Sequence, residues 1–396
     1  MGAAAGKEQD VGWRQSKRYR LGRKLVMSRG WRWLRLASSA LLMLATLPGR
    51  LWADEIKDDE LIQFYPSLAR WVDDGRIELA LDLWVYEQET RPGVNGLFAR
   101  YLKVDIASLA PEQQQRYQQR TQLFRIDSER GKRVWVSFSS LQQANPAVFP
   151  TARTNANGRS QTPLLVDGAS LFADPAVARQ RPQQLTVRAV LAADDPRQFD
   201  GPLWLLPEQG LSVISDIDDT IKHSQVRDKQ ALLRNTFLEP FKPAPGMAAF
   251  YQRLASAEPA AAFHYVSSSP HQLYPPLAEF IRGSGFPPGT VHLRQIAVLD
   301  EIFGDNQSRL HKLSTIGAIL QRFPARHFVL IGDSGEADPE IYGELARAHP
   351  GQIRAILIRD VSGQSAADER YQQAFAGLPP TLWQLFTDPA TLNPHF

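Results

Sequence analysis

The chain has 396 residues, of which 43% are hydrophobic and 22% charged, enough apolar material for a substantial core and for one to three domains. Its formal charge of +3 is unevenly spread: residues 1–53 hold eleven Lys or Arg against two Asp or Glu, so the rest of the chain is mildly acidic, which argues against a nucleic-acid binder. The absence of cysteine excludes disulfides, thiolate metal sites and thiol catalysis.

The N-terminal segment reads as a secretory signal. Arg29, Arg32 and Arg35 precede an apolar run over residues 36–47, Pro48 and Gly49 break it, and Ala53 stands before Asp54 and Glu55. This predicts export, to a periplasm or outside the cell, with cleavage near Ala53. An uncleaved anchor is the alternative. The run is shorter than the roughly 20 residues of a spanning helix, so no transmembrane helix is expected in the mature chain. Met27 offers a second start that would give a signal of ordinary length.

Residues 54–75 read as an amphipathic helix. Residues 76–86, 132–138 and 185–191 alternate polar and apolar side chains, the period of half-buried antiparallel strands. Pro111 opens a Gln- and Arg-rich surface helix, and residues 151–163 read as a loop. Together these predict a β-rich, sandwich-like domain over 54–207. From about 208 the rhythm changes: short apolar runs (211–215, 263–266, 291–298, 327–331, 353–358) alternate with helical patterns. That alternation predicts an α/β domain over 208–380, its parallel sheet covered on both faces, followed by a tail over 381–396.

The run ending SVISDIDDTIK finishes in three acids within four residues, Asp216, Asp218 and Asp219. Burying such like charge costs several kcal/mol for each group, of order, unless cations compensate. Two other predicted strands also end in polar residues. One runs into Ser267-Ser268-Ser269-Pro270, the other into Gly332-Asp333-Ser334-Gly335-Glu336-Ala337-Asp338, and Lys312 lies in the helix before it. In a parallel sheet these ends lie on one edge, where ligands bind. An all-oxygen donor set favours Mg²⁺, held by Asp216, Asp218, Asp333 and Asp338, beside a phosphate contacted by Thr220, Ser267, Ser268 and Lys312. The chemistry that follows is attack by Asp216 on phosphorus, with Asp218 as acid and then base. An EF-hand fails, because Ile221 and Arg227 stand where that loop needs Gly and Glu.

The motif set DIDDT, Ser, Lys and GDSGEAD resembles the phosphatases of the haloacid-dehalogenase superfamily. The words LRNTFLEPF (233–241), YVSSSP (265–270), QLYP (272–275), His311-Lys312 and LIGDSG (330–335) with DPEIY (338–342) resemble, more narrowly, the actin-patch-protein type of Mg²⁺-dependent phosphatidate phosphatase. The resemblance is strong over 208–362 and weak before it. It implies a Rossmann-like parallel sheet, hydrolysis of phosphatidate to diacylglycerol, and Asp216 and Asp218 as the catalytic pair. The chain departs from that pattern at His271, where a Trp is expected, which bears on substrate preference more than on chemistry. Fewer than fifty residues separate Thr220 from Ser267 and Ser267 from Lys312, so only a minimal cap is expected, and a phospholipid at a membrane surface is the expected partner. No protein partner can be inferred. The competing readings are a phosphomonoesterase for another lipid phosphate or a soluble ester, and a binding protein without catalysis. Asp219 reads either as a turn residue or as a neighbour of the metal, and His223, His264 and His311 read as structural.

Overall fold

The computed structural model describes residues 56–72, 75–88, 94–139, 147–296 and 305–396. The predicted export segment lies outside the described residues. Everything described falls within one compact unit.

The N-terminal half is built on strands β1 (Glu60–Trp71), β2 (Arg76–Glu87), β3 (Asp127–Ser128), β4 (Trp135–Ser139), β5 (Val148–Pro150), β6 (Arg159–Asp167), β7 (Gln183–Val190) and β8 (Asp200–Leu206). They form one sheet in the order β3-β2-β1-β8-β7-β4-β5, with β6 also paired to β2. Two expectations are corrected here. The segment read as an amphipathic helix is a twelve-residue strand, β1, most of it buried on both faces. It is interrupted only by a register shift between Tyr65 and Leu68, where Pro66, lacking an N–H, is tolerated. The sandwich of two sheets is instead one sheet around one core of Leu79, Leu81, Leu83, Val136, Val187 and Leu203. Its far ends meet side by side: Ser160 Oγ donates to the Ala152 carbonyl, and the Ala152 N–H donates to Thr162. The predicted loop over 151–163 gives way to β6 from Arg159.

Between β2 and β3 the chain leaves the sheet as two helices, α1 (Val94–Leu102) and α2 (Pro111–Gln122). A short α3 (Pro175–Ala178) precedes β7.

The second half alternates strand and helix: β9 (Gly210–Ser215), α4 (Lys229–Phe237), α5 (Met247–Ala257), β10 (Ala262–Pro270), α6 (Tyr274–Gly283), β11 (Thr290–Arg294), α7 (Asp305–Arg322), β12 (Arg326–Asp333), α8 (Asp338–Ala348), β13 (Ile353–Arg359), α9 (Glu369–Ala374) and β14 (Trp383–Phe386). The strands form a wholly parallel sheet in the order β11-β10-β9-β12-β13-β14. The predicted tail therefore carries the edge strand β14. Period two decides which way each strand residue faces. Val213, Val329 and Ile331 pack against Phe250 and Leu254 of α5 and Leu277 and Phe280 of α6. Ile214, Phe328 and Leu330 pack against Ile316 and Leu320 of α7 and Ile341 and Leu345 of α8. A sheet buried on both faces leaves only its edges and strand ends to function. The strand order reverses between β9 and β12, and the crevice beyond the carboxyl ends of those two strands is where an open α/β sheet binds ligands.

Candidate active site

That crevice holds the acids. Asp216 follows β9 directly, and its N–H donates to the Ile331 carbonyl of β12 at 2.9 Å, which fixes it at the sheet edge. Asp333 is the last residue of β12 and Asp338 the first of α8. The three are buried, and one carboxylate oxygen from each lies within 4.8 Å of the others. Gly332 makes this possible. A Cβ there would stand 2.4 Å from Asp338 Oδ2, so only glycine lets the α8 carboxylate close onto the strand.

Lys312 supplies the first compensation. Its buried Nζ lies 2.9 Å from Asp216, 2.6 Å from Asp338 and 2.9 Å from Glu336. Burial would lower the Lys312 ammonium, but the charges of Asp216, Asp338 and Glu336 outweigh it and hold the group well above the usual lysine range. One lysine does not neutralise four acids. Burial, and then the neighbouring acids, push Asp333 well above the usual carboxylate range. Burial raises Asp216 as well, against the pull of Lys312. Asp216 Oδ2 and Asp333 Oδ2 are buried and have no hydrogen-bond partner, whereas Asp338 is taken by Lys312 and by the Asp333 N–H. Two orphaned carboxylate oxygens in one buried, all-oxygen cluster fit a hard divalent cation.

Asp218 lies apart from that group. Its carboxylate turns toward Lys222 Nζ and Ser224 Oγ, each at 2.7 Å, and toward the hydroxyls of Ser269 (2.9 Å) and Ser267 (3.1 Å). Burial alone would raise this carboxyl. The Lys222 charge and the hydrogen bonds from Lys222, Ser224 and Ser269 win and hold it at about 2. The structure thus separates the two aspartates chemically: Asp216 stands in the cluster of acids around Lys312, Asp218 in a cradle of hydroxyls and an ammonium.

The remaining predicted contacts divide. Ser267 lies in the cradle, its Oγ also accepting from the Ser269 N–H. Thr220 is buried, with an Oγ1 that has no partner. Ser268 lines the cleft beside Asp218 but shares its hydroxyl with Ser308 of α7 rather than with Asp218. Ser269, next in the same run, takes the place beside Asp218. Lys222, Ser224 and Glu336 join the site as well. Ser269, Lys222 and Glu336 stand inside the quoted motifs and Ser224 two residues beyond one, but only the path of the loop shows which of them face inward. Asp219 is the turn residue: at φ 53° its carboxylate accepts from the N–H groups of Ser224, Gln225 and Val226. His264 is structural, bridging Thr290 and Ser212 beneath the sheet.

Beside Asp218 opens a cleft lined by Val226, Leu232, Leu233, Phe237, Pro270 and Leu273. Polar chemistry at the floor and apolar walls above suit a phosphate ester with an apolar body.

Residues 211–360 match the family model described as the catalytic domain of phosphatidate phosphatase APP1. This segment belongs to the APP1 phosphatidate phosphatase family. Over 170 residues, 42% of this chain, it is 37% identical to phosphatidate phosphatase APP1 of Saccharomyces cerevisiae, and 35% identical over 162 residues to an uncharacterized protein of Schizosaccharomyces pombe. The chain matches 28% and 26% of the lengths of these curated relatives. Among solved structures, a 2,6-sialyltransferase from Photobacterium aligns over 59% of this chain and 37% of its own at a TM-score of 0.19 and 9% identity, a likeness too slight to bear on the fold. The APP1 segment spans β9 to the end of β13, and so contains every acid of the site together with Lys312 and the hydroxyl cradle.

Proposed function

We propose that this chain is a Mg²⁺-dependent phosphatidate phosphatase of the haloacid-dehalogenase type, releasing diacylglycerol and inorganic phosphate. The observation that carries this reading is the pair of buried, unpartnered oxygens on Asp216 and Asp333 across the sheet's switch point, with Lys312 between the acids. The strand order and the small α4–α5 connection after β9 support the fold assignment.

Asp216 and Asp333 would hold the cation through their free oxygens, with Asp338, already bonded to Lys312 and the Asp333 N–H, in reach beside them, and the cation when bound would offset the charge of the phosphoryl oxygens so that a carboxylate can approach a phosphate dianion. Lys312 holds the acids together and aligns Asp216. The Asp216 carboxylate forms a bond to phosphorus as the bond to the leaving alkoxide breaks, giving an aspartyl-phosphate. Ser267 and Ser269 donate to the phosphoryl oxygens. As they do so Asp218 loses their hydrogen bonds and gains an anionic neighbour, and both changes raise its carboxyl toward protonation. Asp218 then gives its proton to the leaving oxygen. In the second half it takes a proton from the water that attacks phosphorus, and Asp216 is released.

Among the described residues no helix is long and apolar enough to cross a membrane. The lipid reading therefore has the enzyme meeting its substrate at a bilayer surface, after export directed by the N-terminal segment. The test is phosphate release by the full chain from phosphatidate in mixed micelles, with and without Mg²⁺, beside a soluble aryl phosphate and the Asp216→Asn variant. Metal-dependent release from phosphatidate that vanishes in the variant is expected. Release from the aryl phosphate alone would remove the lipid assignment, and release that survives Asp216→Asn would remove the mechanism.

A further inference from the structure

The helices that leave the N-terminal sheet between β2 and β3 do not pack on that sheet's core. They cross to α4, the helix that walls the cleft beside Asp218. Phe98 of α1 meets Phe237 of α4 with ring centroids 4.8 Å apart, and Phe124, just beyond α2, closes on both rings. Gln230 at the start of α4 donates to the Leu102 carbonyl at the end of α1.

The other end of α4 is held by charge. A helix leaves its last carbonyls without internal partners, and a cation there satisfies them and complements the helix dipole. Arg120 of α2 provides this. Its side chain donates to the carbonyls of Thr236 (2.7 Å) and Glu239 (2.8 Å), and its guanidinium lies 3.9 Å above the Phe241 ring. Arg116 donates to the Leu238 carbonyl at 2.6 Å, and Gln113 to the Glu239 carboxylate at 2.9 Å. Arg120 is only 8% exposed, unusual for an arginine on an otherwise Gln-rich helix. The residues it fixes are those of the wall: Leu232, Leu233, Thr236 and Phe237 face the cleft from α4, with Ser269, Pro270 and Leu273 opposite.

We propose that this cleft is the subsite for the first carbons of an apolar leaving group, and that Arg120, reaching in from the N-terminal half, is a positioning residue that holds its α4 wall. The inference rests on the phosphomonoesterase reading above and adds where the ester's body lies. The cleft's volume is about 60 Å³, space for roughly five waters. It therefore takes a short stretch of chain next to the ester oxygen, and the remainder emerges through the open side.

A series of straight-chain alkyl phosphates, each below its micelle concentration, tests this with the full chain and Mg²⁺. For the wild type, kcat/KM is expected to rise by up to about fourfold for each buried methylene and to flatten after the first few carbons. Two variants follow. Arg120→Met removes the hold on α4, and Leu232→Gln alters a partly exposed wall residue with little effect on folding. In each, the ratio of kcat/KM for hexyl over ethyl phosphate is expected to fall at least fivefold, chiefly through KM. A variant that merely folded less well would lose both substrates alike and keep the ratio. A wild type indifferent to chain length, or a ratio unchanged in Leu232→Gln, overturns the subsite. A ratio unchanged in folded Arg120→Met overturns the positioning role, and if that variant does not fold, Arg120→Lys, which keeps a cation but cannot reach both carbonyls and stack, gives the same reading. Failure of the phosphatase reading itself would look different: no release from any alkyl phosphate.

Discussion

Replacing Lys312 with Met removes the one ammonium that Asp216, Glu336 and Asp338 share, while keeping the length and apolar stem of the side chain. Of the three contacts at 2.6–2.9 Å, those to Asp216 and Asp338 are fully buried and that to Glu336 partly so, so solvent does little to screen most of what is lost. Breaking a buried ion pair by deleting one partner costs about 3–5 kcal/mol, because the surviving charges stay desolvated. The compact unit spans 348 residues, for which the entropy of unfolding is roughly 0.7 kcal/mol per degree, so Tm should fall by about 4–7 °C. The deficit should also depend on pH in a definite direction. Without Lys312, Asp216 loses the charge that pulls its carboxyl down, and its folded pKa rises further above the unfolded value. A carboxyl shifted that way binds protons better folded than unfolded, so it gains stability as pH falls. The gap between wild type and Lys312→Met should therefore narrow from pH 7 to pH 5. Differential scanning calorimetry of both proteins in metal-free buffer measures it. An unchanged Tm, or a gap that widens on acidification, would refute the claim that Lys312 is the internal counter-charge of the acid cluster.

Gly332→Ala would set a methyl group 2.4 Å from Asp338 Oδ2, so the carboxylate must retreat from Lys312 and from the Asp333 N–H. Overpacking of this kind costs about 1–3 kcal/mol, and kcat should fall with it, measured as urea midpoint and phosphate release on the same sample. Burial, then His292 and Arg326, hold His264 well below the usual histidine range, so it is neutral when folded while the unfolded chain protonates near pH 6.5. Its contribution is present above that pH and is lost as pH falls below it, so on acidification from pH 6.5 wild type should lose stability relative to His264→Gln in urea unfolding. Asp219→Ala removes the acceptor of three N–H groups and leaves alanine at φ 53°, a loss of about 2–4 kcal/mol. Because the same turn carries Lys222 and Ser224, hydrolysis should fall even where urea titration shows the variant fully folded.

The parallel sheet and its acid-bearing edge were legible because each strand there is a short apolar run closed by its own functional residue. Asp216, Ser267 and Asp333 stand one or two positions past the last core side chain, and the topology makes them neighbours whatever the packing detail. Inward and outward facing was harder to read. Ser268 and Ser269 are chemically alike, and only the register shift in β10 between Ser267 and Pro270 decides that the second of them meets Asp218. Strand β1 defeated periodicity for a physical reason. A strand with β2 on one side and β8 on the other, buried on both faces, has no polar alternation to show, and its polar Glu60, Gln63, Ser67 and Arg70 fall at helical spacing. That one sheet curls round to meet itself, where two were expected, depends on pairings across the whole half, which no local window contains.

Arg120 and α1 also bear on how such proteins can be cut and recombined. The segment that matches the family ends at residue 360, short of β14, and begins after the helices that hold α4. A fragment cut at its borders would expose the apolar flank of α4 and leave β13 as a naked edge, inviting aggregation before catalysis could be assayed. Exchange of N-terminal halves between relatives meets the same boundary. A donor half that brings its own sheet but a helical hairpin of different shape would leave the proposed phosphoryl chemistry intact and reshape the cleft beside it, so substrate range could be inherited from a part of the chain that holds none of the proposed catalytic residues.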